Sequence, residues 1–284
     1  MVRLRLPSQA VIVLVLIALH WLAVTPAAAS EAARNDVNWS GETEDRVISF
    51  DDNEYARFIQ LWSMVDEVYA LWAEDSPSVR EILFGYSGDN GQTWTCEGSD
   101  RVISFPDGHA VWDKPSFTIG DGTLLAAWSE DVTDTREIHF GISTDRGQTW
   151  SCEAADHILS DPASVVDASP PSAAIDDHGV FHVVWAQNST GTSEVHYARS
   201  ADRGQSWNGG TGDRIISFAD NGNAIAPEIV VHDRDLLVVV WRETGEEGLP
   251  VVHGGRSTDG GLTWSSETAD LEISPPASLM TNLA

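Results

Sequence analysis

One eight-residue pattern occurs four times in this chain and restricts its fold more than any other feature. It reads Ser-x-Asp-x-Gly-x-(Thr or Ser)-Trp. The copies are Ser87, Asp89, Gly91, Thr93, Trp94; Ser143, Asp145, Gly147, Thr149, Trp150; Ser200, Asp202, Gly204, Ser206, Trp207; and Ser257, Asp259, Gly261, Thr263, Trp264. A decayed fifth copy survives as Asn38-Trp39. The tryptophans of the series fall at 39, 94, 150, 207 and 264, in steps of 55, 56, 57 and 57. A second series, Trp72, Trp128, Trp185 and Trp241, steps by 56, 57 and 56. Two series in register over most of the chain require a repeated structural unit.

Each unit reads as four strands. A first strand often opens on proline, as in 115–119, 171–175 and 227–231, where the missing N–H is tolerated. An apolar second strand ends on the second-series tryptophan. An alternating third strand runs into the box, and a fourth leaves it, as in 100–105 and 213–218. Short strands at regular spacing, without helical periodicity, predict an all-β fold of four-stranded propeller blades. The units fall roughly at 51–105, 106–161, 162–218 and 219–274, within one domain over 30–284.

The box suits a turn between the third and fourth strands. Its aspartate accepts backbone N–H groups as Asx-turns do. Its glycine supplies a positive φ. Its tryptophan offers a large ring to bury between blades. Four copies of one acid argue for architecture and not for a catalytic centre.

Before the repeats, Arg3 and Arg5 precede an apolar run from Ala10 to Val24, followed by Pro26 and three alanines. That order predicts a signal peptide over 1–29 and an exported product, extracellular or periplasmic. The run of 15 residues is short for a spanning helix, though an uncleaved anchor is the competing reading. Without Arg3 and Arg5, 14 basic residues face 44 acidic ones, a net charge of −30. So acidic a chain excludes nucleic acid and anionic membranes as partners. Cys96 and Cys152 both stand two residues after a box tryptophan, where other copies carry Gly41, Gly209 and Ser266. A shared repeat position on separate blades predicts two free thiols that pack, and no disulfide.

The boxes resemble the Asp-box, or bacterial neuraminidase repeat, of the sialidase superfamily, from about Trp39 to Ser274. The resemblance implies a six-bladed ring whose active site lies on the face away from the boxes. It also implies three arginines that hold a substrate carboxylate, an aspartate acid/base, and a tyrosine nucleophile assisted by glutamate. Arg57 has the phase of the first family arginine, fifteen residues before Trp72, although the Ile-Pro that normally follows it is absent. Asp75, after the second strand, stands where the acid/base would lie, but Asp131 fills the same place in the next unit.

Arg242 is the best further arginine, and Arg80 and Arg136 begin third strands that could line the same face. Arg46, Arg101 and Arg214 recur in fourth strands and read as structural. No convincing nucleophile emerges, since Tyr197 shares its position with Phe84 and Phe140, and Tyr55, Tyr69 and Tyr86 belong to the first unit. Trp112 and His109, between units, could stack on a sugar or pack over a blade edge. His139, His196 and His253 share one strand position, with Leu83 in the remaining copy, which argues against a metal site. The acidic loops at 51–53 and 220–223 offer Ca²⁺ ligands without a recognised spacing, so no cofactor is expected.

Four full units precede Ser274-Pro275-Pro276, which repeats Ser169-Pro170-Pro171 at the start of another unit. The expectation is that further blades belong to a longer parent, or that a four-bladed ring carries a redundant strand. The functional expectation is a glycan-binding propeller without an intact catalytic constellation. An exo-α-sialidase or related glycosidase, and a scaffold for surface proteins, are the alternatives.

Overall fold

The computed structural model describes residues 48–49, 54–76, 79–132, 135–160, 168–188, 191–208, 213–219, 222–233, 235–244 and 250–274. The proposed signal peptide, Asn38-Trp39, Gly41, Arg46, the 51–53 loop, Gly209, Asp220, Asn221 and the 275–284 segment lie outside them. No helix of the described residues is long and apolar enough to cross a membrane.

Among the described residues fifteen strands form: β1 (Tyr55–Met64), β2 (Glu67–Asp75), β3 (Arg80–Ser87), β4 (Ala110–Val111), β5 (Ser116–Gly120), β6 (Thr123–Val132), β7 (Thr135–Ser143), β8 (Ser172–Ile175), β9 (Phe181–Asn188), β10 (Ser193–Ser200), β11 (Arg214–Ile215), β12 (Ile225–Val231), β13 (Leu237–Thr244), β14 (Pro250–Ser257) and β15 (Leu271–Glu272). They form four antiparallel meanders, blades 1 to 4: β1-β2-β3; β4 and β5 both beside β6, then β7; β8-β9-β10-β11; and β12-β13-β14-β15. The first, second and third strands of blades 2 to 4 fall where the repeat predicts them.

The fourth strands are shorter than the sequence suggests. In blades 1 and 2 they reduce to the bridges Leu83↔Val102 and His139↔Ile158. The reason is a serine in each. Ser104, Ser160, Ser217 and Ser274 use Oγ to accept the N–H of Ile82, Ile138, Val195 and Val252 at 2.9–3.1 Å. A side chain thus replaces the ladder carbonyl and ends the pairing. A brief, serine-terminated edge is a poor template for another strand.

The core lies between blades. Period-two alternation sends Leu71, Ala73, Ile82, Phe84 and Ile103 of blade 1 against Phe117, Leu124, Ala126, Trp128 and Trp150 of blade 2. The same exchange joins blade 2 to blade 3 and blade 3 to blade 4. Serine pegs tie the inner strands. Ser116 Oγ accepts Ala173 N–H at 2.9 Å, and Ser172 Oγ accepts Ile229 N–H at 3.2 Å.

Candidate functional site

The third strand separates two chemically different ends of each blade. The box closes one end; the turn between second and third strands forms the other, which we call the rim. In blade 1 these ends are the length of β3 apart, roughly 25 Å for its eight residues.

At the box end the geometry repeats. Ser87 Oγ donates to Asp89 Oδ1 at 2.8 Å, and the other three boxes have the same distance. The box hydroxyl and backbone N–H at Thr93, Thr149, Ser206 and Thr263 both donate to the aspartate. Those bonds, the hydroxyl foremost, hold Asp89, Asp202 and Asp259 at about 2, and Asp145 is lowered by the same partners. Box tryptophans Trp150, Trp207 and Trp264 stand edge-on to Phe84, Phe140 and Tyr197 of the preceding blade, 5.1–5.2 Å between centroids. Tyr197 is therefore interface core, and burial raises its pKa. Arg101 reaches Glu153 and Arg214 reaches Glu267 of the following blade, which accounts for their recurrence.

Also at the box end is a cluster that no sequence spacing reveals. Glu67 accepts from Tyr69 at 2.5 Å and from Tyr86 at 3.3 Å, and pairs with Arg146 Nε at 2.8 Å. Burial, then Glu67, raises both tyrosines, so they serve as hydrogen-bond donors and are poor nucleophiles.

At the rim the charged side chains differ from blade to blade. Asp75 bridges two arginines: Arg80 Nε lies 2.6 Å from Oδ1 and Arg57 Nε 2.7 Å from Oδ2. Arg80 also donates through Nη1 to the carbonyls of Val111 at 3.2 Å and Trp112 at 3.1 Å, crossing to blade 2. The Trp112 ring, 42 % exposed as a residue, carries the Arg136 guanidinium 3.9 Å from its centroid. Thus Arg57, Asp75, Arg80, Trp112 and Arg136 form one surface.

The Arg80 bond, followed by that of Arg57, keeps Asp75 below the usual carboxylate range against its partial desolvation. Asp75 is thus an anion in this arrangement. Tyr55 is exposed and stands opposite Asp75 in the β1–β2 register. Beside them Phe58 takes φ +56° at the bulge between Arg57 and Gln60, a strained value for an aromatic residue. The bulge turns the inner strand at the rim.

Arg242 does not join this surface within its own sheet. It lies on blade 4, exposed, on the sheet face away from the buried Trp241 and Glu243. Its repeat position holds Ala73, Ser129 and Ala186 in the other blades, all buried.

Beneath each rim runs a second repeated network. The second-series tryptophan donates Nε1 to the residue two places on: Trp72 to Glu74, Trp128 to Glu130, Trp185 to Gln187 and Trp241 to Glu243, at 2.8–3.1 Å. His139 and His196 pair through Nδ1 with Asp156 at 2.7 Å and Asp213 at 3.0 Å. Blade 4 gathers Glu243, His253 and Asp270 in the same way. This repetition marks a structural tie, and no metal centre is assigned to it. Asn223 Oδ1 accepts the Ser193 N–H at 3.0 Å, at the start of β10.

Both cysteines are free and fully buried. Their thiols donate to the carbonyls of Ile48 and Ile103 at 3.0 Å. Burial pushes them up to about 11 for Cys96 and about 12 for Cys152.

Among solved structures the chain is similar to a protein of unknown function from Dyadobacter fermentans, at 16% identity and TM-score 0.59, covering 81% of this chain and 72% of that one. An endo-arabinase from Bacteroides thetaiotaomicron aligns at 14% identity and TM-score 0.51, over 77% and 81%. NanB sialidase from Streptococcus pneumoniae aligns at 13% identity and TM-score 0.50, over 77% of this chain and 52% of that one, so this chain spans about half its length. At these identities the likeness is one of fold, an all-β propeller of four-stranded blades. No curated protein matches the sequence. The model of the BNR repeat-like domain matches residues 128–283, more than half of the chain and three of its four boxes, and the chain belongs to that family.

Proposed function

We propose that this chain binds saccharides, and that acidic ones are held at the rim of blades 1 and 2. The observation that carries this reading is that Arg57 and Arg80 meet on Asp75 while Arg80 and Arg136 engage the exposed Trp112, in a chain of net charge −28. Cations concentrated at one place overcome the repulsion that the rest of the chain exerts on an anion. Guanidinium groups match a carboxylate in shape and hydrogen-bond direction, and Trp112 offers a flat apolar face for a sugar ring. Asp75 bridges the Arg57 and Arg80 guanidiniums until an anionic ligand shares them. Relatives in fold include proteins named as a sialidase and an endo-arabinase, which agrees with a saccharide ligand.

Arg57 is the most direct handle, since its side chain is half-exposed and its one described partner is Asp75. Calorimetry with sialylated and uronate oligosaccharides should show binding that Arg57→Ala weakens about tenfold to a hundredfold, one guanidinium–carboxylate pair. Neutral oligosaccharides should bind no better than to the variant. Equal binding of neutral and acidic sugars would overturn the arginine assignment.

A second reading, glycoside hydrolysis, draws on Tyr55 lying opposite Asp75. It requires turnover of a fluorogenic sialoside that is lost in Tyr55→Phe. The signal peptide at 1–29 and export to the cell exterior or periplasm belong to the same proposal, because they place the protein where such saccharides occur.

A further inference from the structure

The Trp112 platform rests on a loop whose underside faces a buried acid. Trp112 N–H donates to the Ser129 carbonyl at 2.9 Å, and Val111 pairs with Glu130. Glu130 is almost fully buried, with Oε2 accepting from Trp128 Nε1 at 2.9 Å. From β7, His139 Nδ1 approaches Glu130 at 3.5 Å, while Asp156 takes the same nitrogen at 2.7 Å and Glu137 lies 3.6 Å from Nε2. From the loop come Asp107 and His109, paired at 3.0 Å and each with a polar atom within 4.8 Å of the Glu130 carboxyl. Glu130 therefore meets one acid and one histidine from above, and one histidine backed by two acids from the side.

We infer that Glu130 is a proton latch for the 107–112 loop, and through it for the rim. Protonated, the carboxyl is neutral beneath Asp107 and can share a hydrogen bond with the loop. Ionised, it puts a second negative charge beside Asp107 in a site with little water, and the loop is pushed outward. Release of the loop withdraws the Val111 and Trp112 carbonyls from Arg80 and the Trp112 ring from Arg136. Burial places the changeover near neutrality, at about 7 for Glu130. Burial depresses the adjacent imidazole, but Asp156, Glu130 and Glu137 outweigh it and raise His139. Blade 3 carries the control, because Gln187 keeps the same tryptophan bond at 2.8 Å without a titrating group.

The link to ligand binding rests on the reading of the rim given above, but the latch itself can be measured without any ligand. Hydrogen exchange of the 105–115 backbone, corrected for intrinsic rates, should be followed from pH 5.5 to 8.5. Wild type should lose protection by up to about tenfold per pH unit as pH rises from the ordinary glutamate range to about 7, and hold a constant, lower protection above it, as one linked proton requires. Glu130→Gln should stay at the acid-side protection throughout, and its near-ultraviolet circular dichroism reports that it has folded. A flat wild-type profile, or a step that persists in Glu130→Gln, would overturn the latch. If the step appears and disappears as expected while acidic saccharides fail to bind at any pH, the latch stands and the saccharide reading falls.

Discussion

At the box end, all four blades carry serine and aspartate at the same 2.8 Å, with the glycine at φ +80° to +85°. At the rim, the paired positions across the second and third strands read Asp75–Arg80, Asp131–Arg136, Asn188–Ser193 and Thr244–Pro250. One end meets the same geometric demand four times and keeps the same answer. The other faces no common demand, so charge is free to collect on blades 1 and 2. Repetition within one chain thus separates what holds the blades from what distinguishes them.

Glycine substitution gives the largest expected effect and tests the box half of that comparison. Gly147 and Gly91 have nearly equal φ, +80° and +82°. A Cβ on Gly147 would meet Phe84 of blade 1 at 2.0 Å, whereas one on Gly91 meets nothing closer than 3.8 Å. Gly147→Ala should cost about 3 kcal/mol, left-handed strain plus overpacking, and Gly91→Ala about 1 kcal/mol from strain alone. Urea unfolding measures both. Equal losses would mean that the box glycine matters only for its turn and does not join blades.

Asp75 tests the rim half. Asp75→Asn should change stability by less than about 1 kcal/mol, as partly exposed ion pairs do. It should strengthen binding of acidic saccharides several-fold, up to about tenfold, because Arg57 and Arg80 lose their internal anion. Weaker binding would show that Asp75 orients the arginines and does not compete for them. Abolished sialoside turnover would instead make it a catalytic group.

Local contacts explain what the sequence revealed. The serine–aspartate–threonine hydrogen bonds that shape a box fall within its eight residues, so the pattern discloses the turn, the blade and the period. Arg57 was visible by its phase from Trp72. That Arg57 and Arg80 meet on Asp75, and Arg136 on Trp112, was not visible. Those contacts depend on the strained bulge at Phe58 and on a loop that crosses from blade 1 to blade 2. The buried network was half legible. His139, His196 and His253 stood out, but their partners did not. Aligning on the repeat would have found them: Glu74, Glu130, Gln187 and Glu243 lie two residues after one tryptophan series, and Asp100, Asp156, Asp213 and Asp270 six after the other.

The two ends should also fail at opposite extremes of pH. Box aspartates have folded values below those of the unfolded chain, so their contribution is present above about pH 4 and is lost as pH falls toward 2. Glu130 and His139 are raised, so the folded state holds more protons than the unfolded chain. Their contribution is greatest in mild acid and is lost as pH climbs from the ordinary glutamate range through 7. Thermal melts should therefore peak between these limits. Glu130→Gln should flatten only the alkaline side, by at most about 1.4 kcal/mol per pH unit. A variant that flattened the acid side would contradict the assignment.

Cysteine replacement bears on how strictly the box end is repeated. Cys152 Sγ donates to Ile103 O, and Ser266 Oγ donates to Ile216 O at the same repeat position two blade interfaces further on. Where this position carries a side chain in blades 2 and 4, it is small with one donor facing the preceding blade, and either chemistry provides it. Cys152→Ser should lower stability by less than about 1.5 kcal/mol, as near-isosteric core changes do. Cys152→Val removes the donor and adds a methyl branch beside Gly141, whose missing Cβ leaves no room, since that atom would lie 2.2 Å from Sγ. It should cost about 2–3 kcal/mol. If valine were tolerated as well as serine, the donor would be incidental, and size alone would govern this place in the box repeat.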